Sequence, residues 1–259
     1  MAELNGRVAL VTGGGKGIGR AVALSLAAMG ADVAISGRSK PELDDTAQTI
    51  RAGGRRAEAI VCDVSERGQV DAMFARLKES LGDPLILVNN AGIAASARLT
   101  QTTDEMWELM MRVNATAAFW CMKAVVPAML EARWGRIVNI ASIAARAGAA
   151  YITAYAASKH ALLGLTRSVA VEVANRGVTV NAVCPGYVDT EMTDRSAAYI
   201  SARTGRTEGD ARKLLEGVSP QGRLMTVDEV ASLATYLCSQ AARGITGQGI
   251  VLDGGSVQA

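Results

Sequence analysis

Short runs of β-branched and aliphatic residues recur along the chain, separated by longer stretches whose apolar positions return every three or four residues. The runs Val8–Thr12, Asp32–Ser36, Ala57–Val61, Leu85–Asn89, Arg136–Ile140, Val178–Val183 and Gly249–Leu252 read as strands. They are apolar on both faces rather than alternating, as a sheet covered by helices on both sides requires. Strands that alternate with helices are joined by crossovers, so the expectation is an α/β, doubly wound, seven-stranded parallel sheet. Ser39 with Glu42, and Thr226 with Glu229, have capping-box spacing and predict two helix starts. No repeat or Pro/Ser-rich linker interrupts the pattern, so residues 1–259 are expected to form a single domain. The alternation lapses from Thr190 to about Arg223, where the chain is polar and mixed in charge; residues 190–223 are expected to form a substrate lid.

Composition narrows the partners. The 259 residues are 49% hydrophobic and include 27 glycines, enough for a sizeable core of closely packed helices and strands. A formal net charge of +2 without a Lys/Arg block argues against nucleic acid. Met1–Gly6 leaves no room for a signal peptide ahead of the first strand, and no apolar run approaches the roughly 18 residues that cross a bilayer, so a cytoplasmic chain with no membrane partner is expected. Cys62, Cys121, Cys184 and Cys238 are widely spaced and read as reduced core thiols; no metal site is expected.

The strongest local signal follows the first strand. Val8–Thr12 runs into Gly13-Gly-Gly-Lys16-Gly17-Ile18-Gly19 and then a helix expected over Arg20–Met29. Glycines at 13, 17 and 19 allow a sharp turn and close approach of a diphosphate to the helix N-terminus. At the end of the second strand, Ser36-Gly37-Arg38 lacks the acid that an NAD ribose would engage. Arg38 instead offers a fork for a 2′-phosphate, with Lys16 as a second cation, so NADP(H) is favoured over NAD(H).

A second constellation lies further on. Tyr155-Ala-Ala-Ser-Lys159 opens a helix expected to reach about Arg176, with Tyr155 and Lys159 one turn apart on one face. A phenol titrates near pH 10 and becomes a useful acid or base when a neighbouring cation favours its anion, which Lys159 is placed to do. Ser142 follows the fifth strand at the carboxyl end, where open sheets bind ligands. Taken singly, the Tyr and Lys read equally as a surface pair and the Ser as a cap. Their conjunction with the glycine turn, and with Asn89-Asn90-Ala91-Gly92 after the fourth strand, is far more specific. His160, the sole histidine, points away from the Tyr155 face and reads as structural.

These motifs resemble the short-chain dehydrogenase/reductase family over nearly the whole chain. The resemblance implies a single-domain Rossmann fold with Asn114, Ser142, Tyr155 and Lys159 as catalytic residues. Tyr155 would be the acid, Ser142 would orient the carbonyl oxygen, Lys159 would hold the nicotinamide ribose and lower the Tyr155 pKa, and Asn114 would anchor a water. It further implies cofactor contacts at Gly13, Lys16, Gly17, Ile18, Gly19, Arg38, Asp63, Val64, Asn90, Ala91, Gly92, Tyr155, Lys159, Pro185, Gly186, Val188 and Thr190. Asp63 reads alternatively as a cap before Ser65. Gly135–Ser142 and Asn181–Gly186 look like ketoreductases of 3-oxoacyl thioesters and polyketides. The implied substrate is a small carbonyl or alcohol compound, carried as an acyl carrier protein or coenzyme A thioester, and Arg195, Arg203, Arg206, Arg212 and Lys213 could meet the carrier's phosphates. Interleaved Asp194, Glu208, Asp210 and Glu216 fit a solvated surface equally well. A ketone, secondary-alcohol or sugar dehydrogenase of the same family is the nearest alternative, and a non-catalytic nucleotide sensor the most distant. The family also implies a homo-oligomer, commonly a tetramer, built on helices near Met106–Leu130 and Thr153–Asn175. There Trp107, Met110, Phe119 and Met122 fit either an interface or the core.

Overall fold

In the computed structural model, residues 3–258 are described. The strands are β1 (Val8–Thr12), β2 (Asp32–Gly37), β3 (Ala57–Val61), β4 (Ile86–Asn89), β5 (Gly135–Ile140), β6 (Val178–Pro185) and β7 (Gly249–Leu252). All pair in parallel, in the order β3-β2-β1-β4-β5-β6-β7. Three strands match the expected bounds, and the rest differ by one or two residues at an end. Around them run α1 (Gly17–Ala28), α2 (Lys40–Ala52), α3 (Arg67–Ser80), α4 (Asp104–Met111), α5 (Ala117–Ala132), α6 (Thr153–Val173), α7 (Glu191–Thr204), α8 (Glu208–Glu216) and α9 (Val227–Cys238).

The two faces of the sheet bury separate clusters because successive strand side chains point to opposite sides. Ala9, Val11, Val33 and Ile35 pack with Val22 and Leu26 of α1 and Val230 and Leu237 of α9. Leu10, Ala34, Leu87 and Ile137 pack instead with Met73 of α3 and Cys121 and Met122 of α5. Each Val, Leu, Ile or Met side chain buried in this way contributes about 1.5–3 kcal/mol. The four cysteines are free and buried, and burial raises the Cys62 thiol to about 11.

Several local expectations change. Ser39 precedes α2 in extended conformation but makes no side-chain cap; Glu42 turns instead to the Lys16 ammonium at 3.1 Å, a charge-assisted bond that outcompetes an amide. Thr226 and Glu229 do form the reciprocal capping box at the start of α9. Helix α1 begins at Gly17, within the glycine turn itself, and not at Arg20. Asp104–Ala132 runs as continuous helix, and by length and hydropathy its most apolar window could cross a membrane, although charged and polar residues interrupt it along the sequence. Half of that window is buried against the sheet, as befits a core helix. Of the four side chains left open between core and interface, Met110 and Met122 are core, whereas Trp107 and Phe119 are exposed.

Residues 190–223 form the helices α7 and α8, which pack on each other through Ala197, Ala211 and Leu215. Arg212 ties this pair to the β6 loop by bonding Asp189 at 2.6 Å as well as Asp194.

Below the crevice, Asn89 Nδ2 donates to Asn139 Oδ1 at 2.8 Å, and Asn139 Nδ2 donates to Thr166 Oγ1 of α6 at 2.9 Å. This wholly buried chain of polar groups joins β4, β5 and α6. Asn139→Leu preserves volume but leaves Asn89 and Thr166 without these partners, and is expected to destabilise the fold by about 2–4 kcal/mol in chemical denaturation.

Candidate active site

The order of strands reverses between β1 and β4, and open α/β sheets hold ligands in the crevice at such a switch point. Here the two strand ends are stapled together. Thr12 Oγ1 accepts from the amides of Asn90 and Ala91, both at 3.0 Å, while Asn90 Nδ2 donates to the Thr12 carbonyl at 2.9 Å and to the Gly13 carbonyl at 3.2 Å. Gly13 takes φ +67°, and a Cβ there would stand 2.8 Å from Asn90 Nδ2. At Gly19 a Cβ would collide with the Gly13 carbonyl, so the turn closes on itself without room for a side chain at either glycine. Ile18 packs against the core beneath. Thr190, in the loop after β6, stands over Gly17, its methyl 3.6 Å from where a Cβ would be.

The cations separate into two kinds. Arg38 is exposed beyond β2 and has no ion-pair partner among the described residues. Lys16 is held by Glu42 at 3.1 Å and Glu191 at 2.9 Å, and its hydrogen bond to Glu191, followed by that to Glu42, raises its pKa. The sequence offers Lys16 as a second cation beside Arg38; in the structure it straps the glycine turn to the first residue of α7. Asp63 Oδ1 accepts from both the amide and hydroxyl of Ser65, at 2.9 and 2.7 Å. Burial pushes its carboxyl up, but the Ser65 bonds and the charge of Arg38 more than offset this, so the net shift is downward. Asp63 therefore forms a local turn four residues ahead of α3, whose own cap position is Glu66. Val64 lines a small cavity with Thr12, Asn89, Ala91 and Asn114.

At the end of β5 stands the second group of residues. Ser142 Oγ accepts from the Ala144 amide at 3.1 Å, leaving its hydroxyl proton available to donate. Lys159 is only 5% exposed, and its ammonium donates to the Ile140 carbonyl at 2.9 Å; burial brings its pKa down to about 8. The ammonium stands 5.8 Å from the centre of the Tyr155 ring. A Cβ on Gly92 would lie 3.6 Å from Lys159 Nζ and 3.2 Å from Asn114 Oδ1, so loops from β4, β5 and the middle of the long helix converge here. One expectation needs correction: the net shift of the Tyr155 phenol is upward. Burial raises it, the Ser142 hydroxyl partly opposes this, and Tyr187 adds to the rise. Lys159 does not bring the phenol below its ordinary value in the cofactor-free chain.

Asn114 occupies a π-helical turn, Arg112–Thr116, between α4 and α5. Such bulges re-aim side chains and are frequent at functional sites. Its Oδ1 accepts from the Ile93 amide at 2.9 Å, and its Nδ2 donates to the Ile93 carbonyl at 3.0 Å and to Ser158 Oγ at 2.9 Å. Both protons of the side-chain amide are thus used, so a water anchored by this residue would have to donate to the second lone pair of Oδ1 or bond the main chain. Pro185 ends β6, the Gly186 amide donates to Leu252, and Val188 is bridged to Met225. His160 is exposed, its ring nitrogen bonded to the Ala156 carbonyl of its own helix.

This geometry has close counterparts. A family profile described as enoyl-(acyl carrier protein) reductase matches residues 13–257. A 3-oxoacyl-(acyl-carrier-protein) reductase of Pseudomonas aeruginosa is 40% identical over 254 residues, covering 98% of each chain. The chain belongs to the short-chain dehydrogenase/reductase family. A D-beta-hydroxybutyrate dehydrogenase of Cupriavidus necator is 36% identical over 260 residues, covering 98% of this chain and 99% of its own. Among solved structures, a variant of the actinorhodin polyketide ketoreductase with NADPH superposes with a TM-score of 0.94 at 35% identity, covering 99% of both chains.

As a member of the short-chain dehydrogenase/reductase family the chain is an oxidoreductase that works with a nicotinamide cofactor. The crevice suits that group: a turn in which Gly13 and Gly19 leave no room for a Cβ, at a helix N-terminus, offers amides to a diphosphate. Thr12, Ser158, Glu42 and Glu191 were missed as site-shaping residues. Thr12 and Ser158 lie inside the motifs themselves, whereas Glu42 and Glu191 lie 26 and 175 residues from Lys16 and no local signal ties either of them to it. Gly19→Ala is expected to displace the turn against the Gly13 carbonyl and to abolish nicotinamide-cofactor binding in calorimetry.

Proposed function

We propose that this chain is an NADP(H)-dependent ketoreductase acting on a 3-oxoacyl thioester, with Asn114, Ser142, Tyr155 and Lys159 as its catalytic set. The observation that carries this reading is the convergence of Ser142, Tyr155 and a buried Lys159 at the carboxyl end of β5. When bound, the cofactor supplies hydride to the carbonyl carbon. Ser142 donates to the carbonyl oxygen, and Tyr155 holds a proton at its phenol oxygen and delivers it to that same oxygen as charge develops there. A phenol raised by burial stays protonated at neutral pH, the form that reduction needs. Lys159 spends one N–H on Ile140, and its others are available to a ribose hydroxyl and to proton resupply. Asn114 keeps the β4 loop against α6.

Gly13, Gly17, Ile18 and Gly19 would cradle the diphosphate, with Asn90, Ala91 and Gly92 behind it, and Asp63 and Val64 would flank the adenine. Pro185, Gly186, Val188 and Thr190 would meet the nicotinamide end. The free position of Arg38 supports NADP(H) over NAD(H), since a guanidinium fork bonds a phosphate bidentately; Lys16, already held by two carboxylates, is the weaker contributor. Residues 190–223 act as the lid. Arg203, Arg206 and Lys213 have no ion-pair partner among the described residues and are the cations that support a carrier phosphate. The P. aeruginosa relative is named for a carrier-bound substrate, which supports the thioester reading. Exposed Trp107, Leu109, Phe119 and Val171, with the half-exposed edge strand β7, support a homo-oligomer, a tetramer by family resemblance; a cytoplasmic location rests on the likeness to the P. aeruginosa relative.

Tyr155→Phe is expected to lower kcat for NADPH-dependent reduction of acetoacetyl-CoA by about 10²–10⁴-fold while leaving the fold intact by circular dichroism; retained turnover refutes the assignment. Lys159 is charged below its pKa and neutral above it, so kcat/KM for reduction should be level at neutral pH and fall as pH rises through about 8. Arg38→Asp should weaken NADPH far more than NADH in a fluorescence titration, and equal weakening of both would count against the phosphate role.

A further inference from the structure

Strand β7 ends at Leu252, and the residues that follow it, Asp253-Gly-Gly-Ser-Val257, fold into a turn against the loop that leaves β6. Asp253 is only 4% exposed. Its Oδ1 accepts from the Gly255 amide at 2.8 Å and its Oδ2 from the Val257 amide at 2.7 Å. Burying a carboxylate is costly unless it is hydrogen-bonded. Two amides of its own turn meet that need here, and bonds to a charged acceptor hold the turn in one shape. Gly254 and Gly255 stand at φ +68° and +96°, which residues with side chains rarely adopt.

Two parts of the candidate site rest on this turn. The Gly186 amide donates to the Leu252 carbonyl at 3.0 Å, and a Cβ on Gly186 would stand 2.9 Å from the Asp253 Cβ, so the loop after β6 lies directly against Asp253. On the other side, a Cβ at Gly254 would collide with Ser219 Oγ. The Ser256 hydroxyl lies 3.1 Å from the Val218 carbonyl and 3.0 Å from the Asp253 carbonyl. Val218 and Ser219 follow α8 on the returning stem of residues 190–223. The two stems of that segment also bond each other: the Met225 amide donates to the Tyr187 carbonyl at 2.9 Å, and the Asp189 amide donates to the Met225 carbonyl at 2.8 Å. The outgoing stem, the returning stem and the turn at Asp253 thus form one junction at the β6–β7 edge of the sheet. Arg38 and Asp63 follow β2 and β3, at the opposite edge.

We propose that Asp253 is a positioning residue: its carboxylate holds the turn 253–257 as a wedge that sets where the loop of residues 185–190 meets the nicotinamide ring, while the adenosine end of the cofactor, across the sheet, is held without it. This rests on the nicotinamide-binding reading of that loop. The test compares calorimetric binding of NADPH with that of 2′-phospho-ADP-ribose, which keeps the phosphates and riboses but lacks the nicotinamide ring, in wild type and Asp253→Asn. Asparagine keeps the shape of the side chain but offers one acceptor oxygen in place of two. The variant should bind NADPH about tenfold more weakly, as the loss of one charge-assisted bond implies, and should bind 2′-phospho-ADP-ribose within about twofold of wild type. Equal weakening of both, as a general loosening of the fold would cause, or unchanged binding of NADPH overturns the proposal. Val257→Pro removes the amide that Asp253 Oδ2 accepts, outside every helix and strand, and is expected to show the same split; if Asp253→Asn does not fold, it decides by the same criterion. If wild type binds NADH and ADP-ribose in place of the phosphorylated pair, the NADP(H) reading alone fails and the same comparison is made with that pair. If wild type binds no nicotinamide nucleotide, the cofactor reading fails and the proposal falls with it.

Discussion

A lysine ammonium is almost fully buried at the carboxyl end of the central sheet, and much of the surrounding structure makes that burial tolerable. Removing an ammonium from water is costly unless polar partners replace the water. The Ile140 carbonyl supplies one such partner. Gly92 has no side chain to crowd the charge, and the π turn at Asn114 brings the Asn carbonyl oxygen to the same place. Burial in turn holds the ammonium near neutrality of charge at mildly alkaline pH, a poise suited to a group that must exchange protons with a neighbouring phenol.

The polar groups under the crevice explain why this arrangement is rigid. Thr12 and Asn90 staple β1 to β4 where the sheet order reverses, and the Asn89, Asn139 and Thr166 side chains connect β4 and β5 to the helix that carries Tyr155 and Lys159. Each buried amide here is hydrogen-bonded, so a shift of one strand end would leave several groups unsatisfied at once. The site thus stands on strand ends and a helix that are positioned by one continuous network. The helix pair α7 and α8 is fastened by ion pairs at Arg212 and Lys16 and by the buried Thr193 hydroxyl, which donates to the Val188 carbonyl at 2.6 Å. Exposed pairs contribute little each, so the buried Thr193 bond is the firmer of these ties.

Much of this was legible along the chain. The seven strands, the reversal-point glycine turn, the Thr226 cap and the Tyr155–Lys159 spacing are local patterns, set by hydrophobic periodicity, by backbone conformations that glycine favours, and by the pitch of a helix. Those rules act within a few residues, so one sequence window suffices to apply them. Position within the tertiary structure decided the rest. The fate of Lys16 depended on Glu191, 175 residues away, and Glu42 abandoned a cap for the same ammonium. The phenol of Tyr155 moved upward because burial, which no local pattern reports, outweighs the hydrogen bond from the Ser142 hydroxyl. The π turn at Asn114, the exposure that separates Trp107 from Met110, and the contact of Asp253 with Gly186 likewise arise where distant segments meet. Charge, solvation and close packing are sums over neighbours in space, and the chain order alone does not name those neighbours.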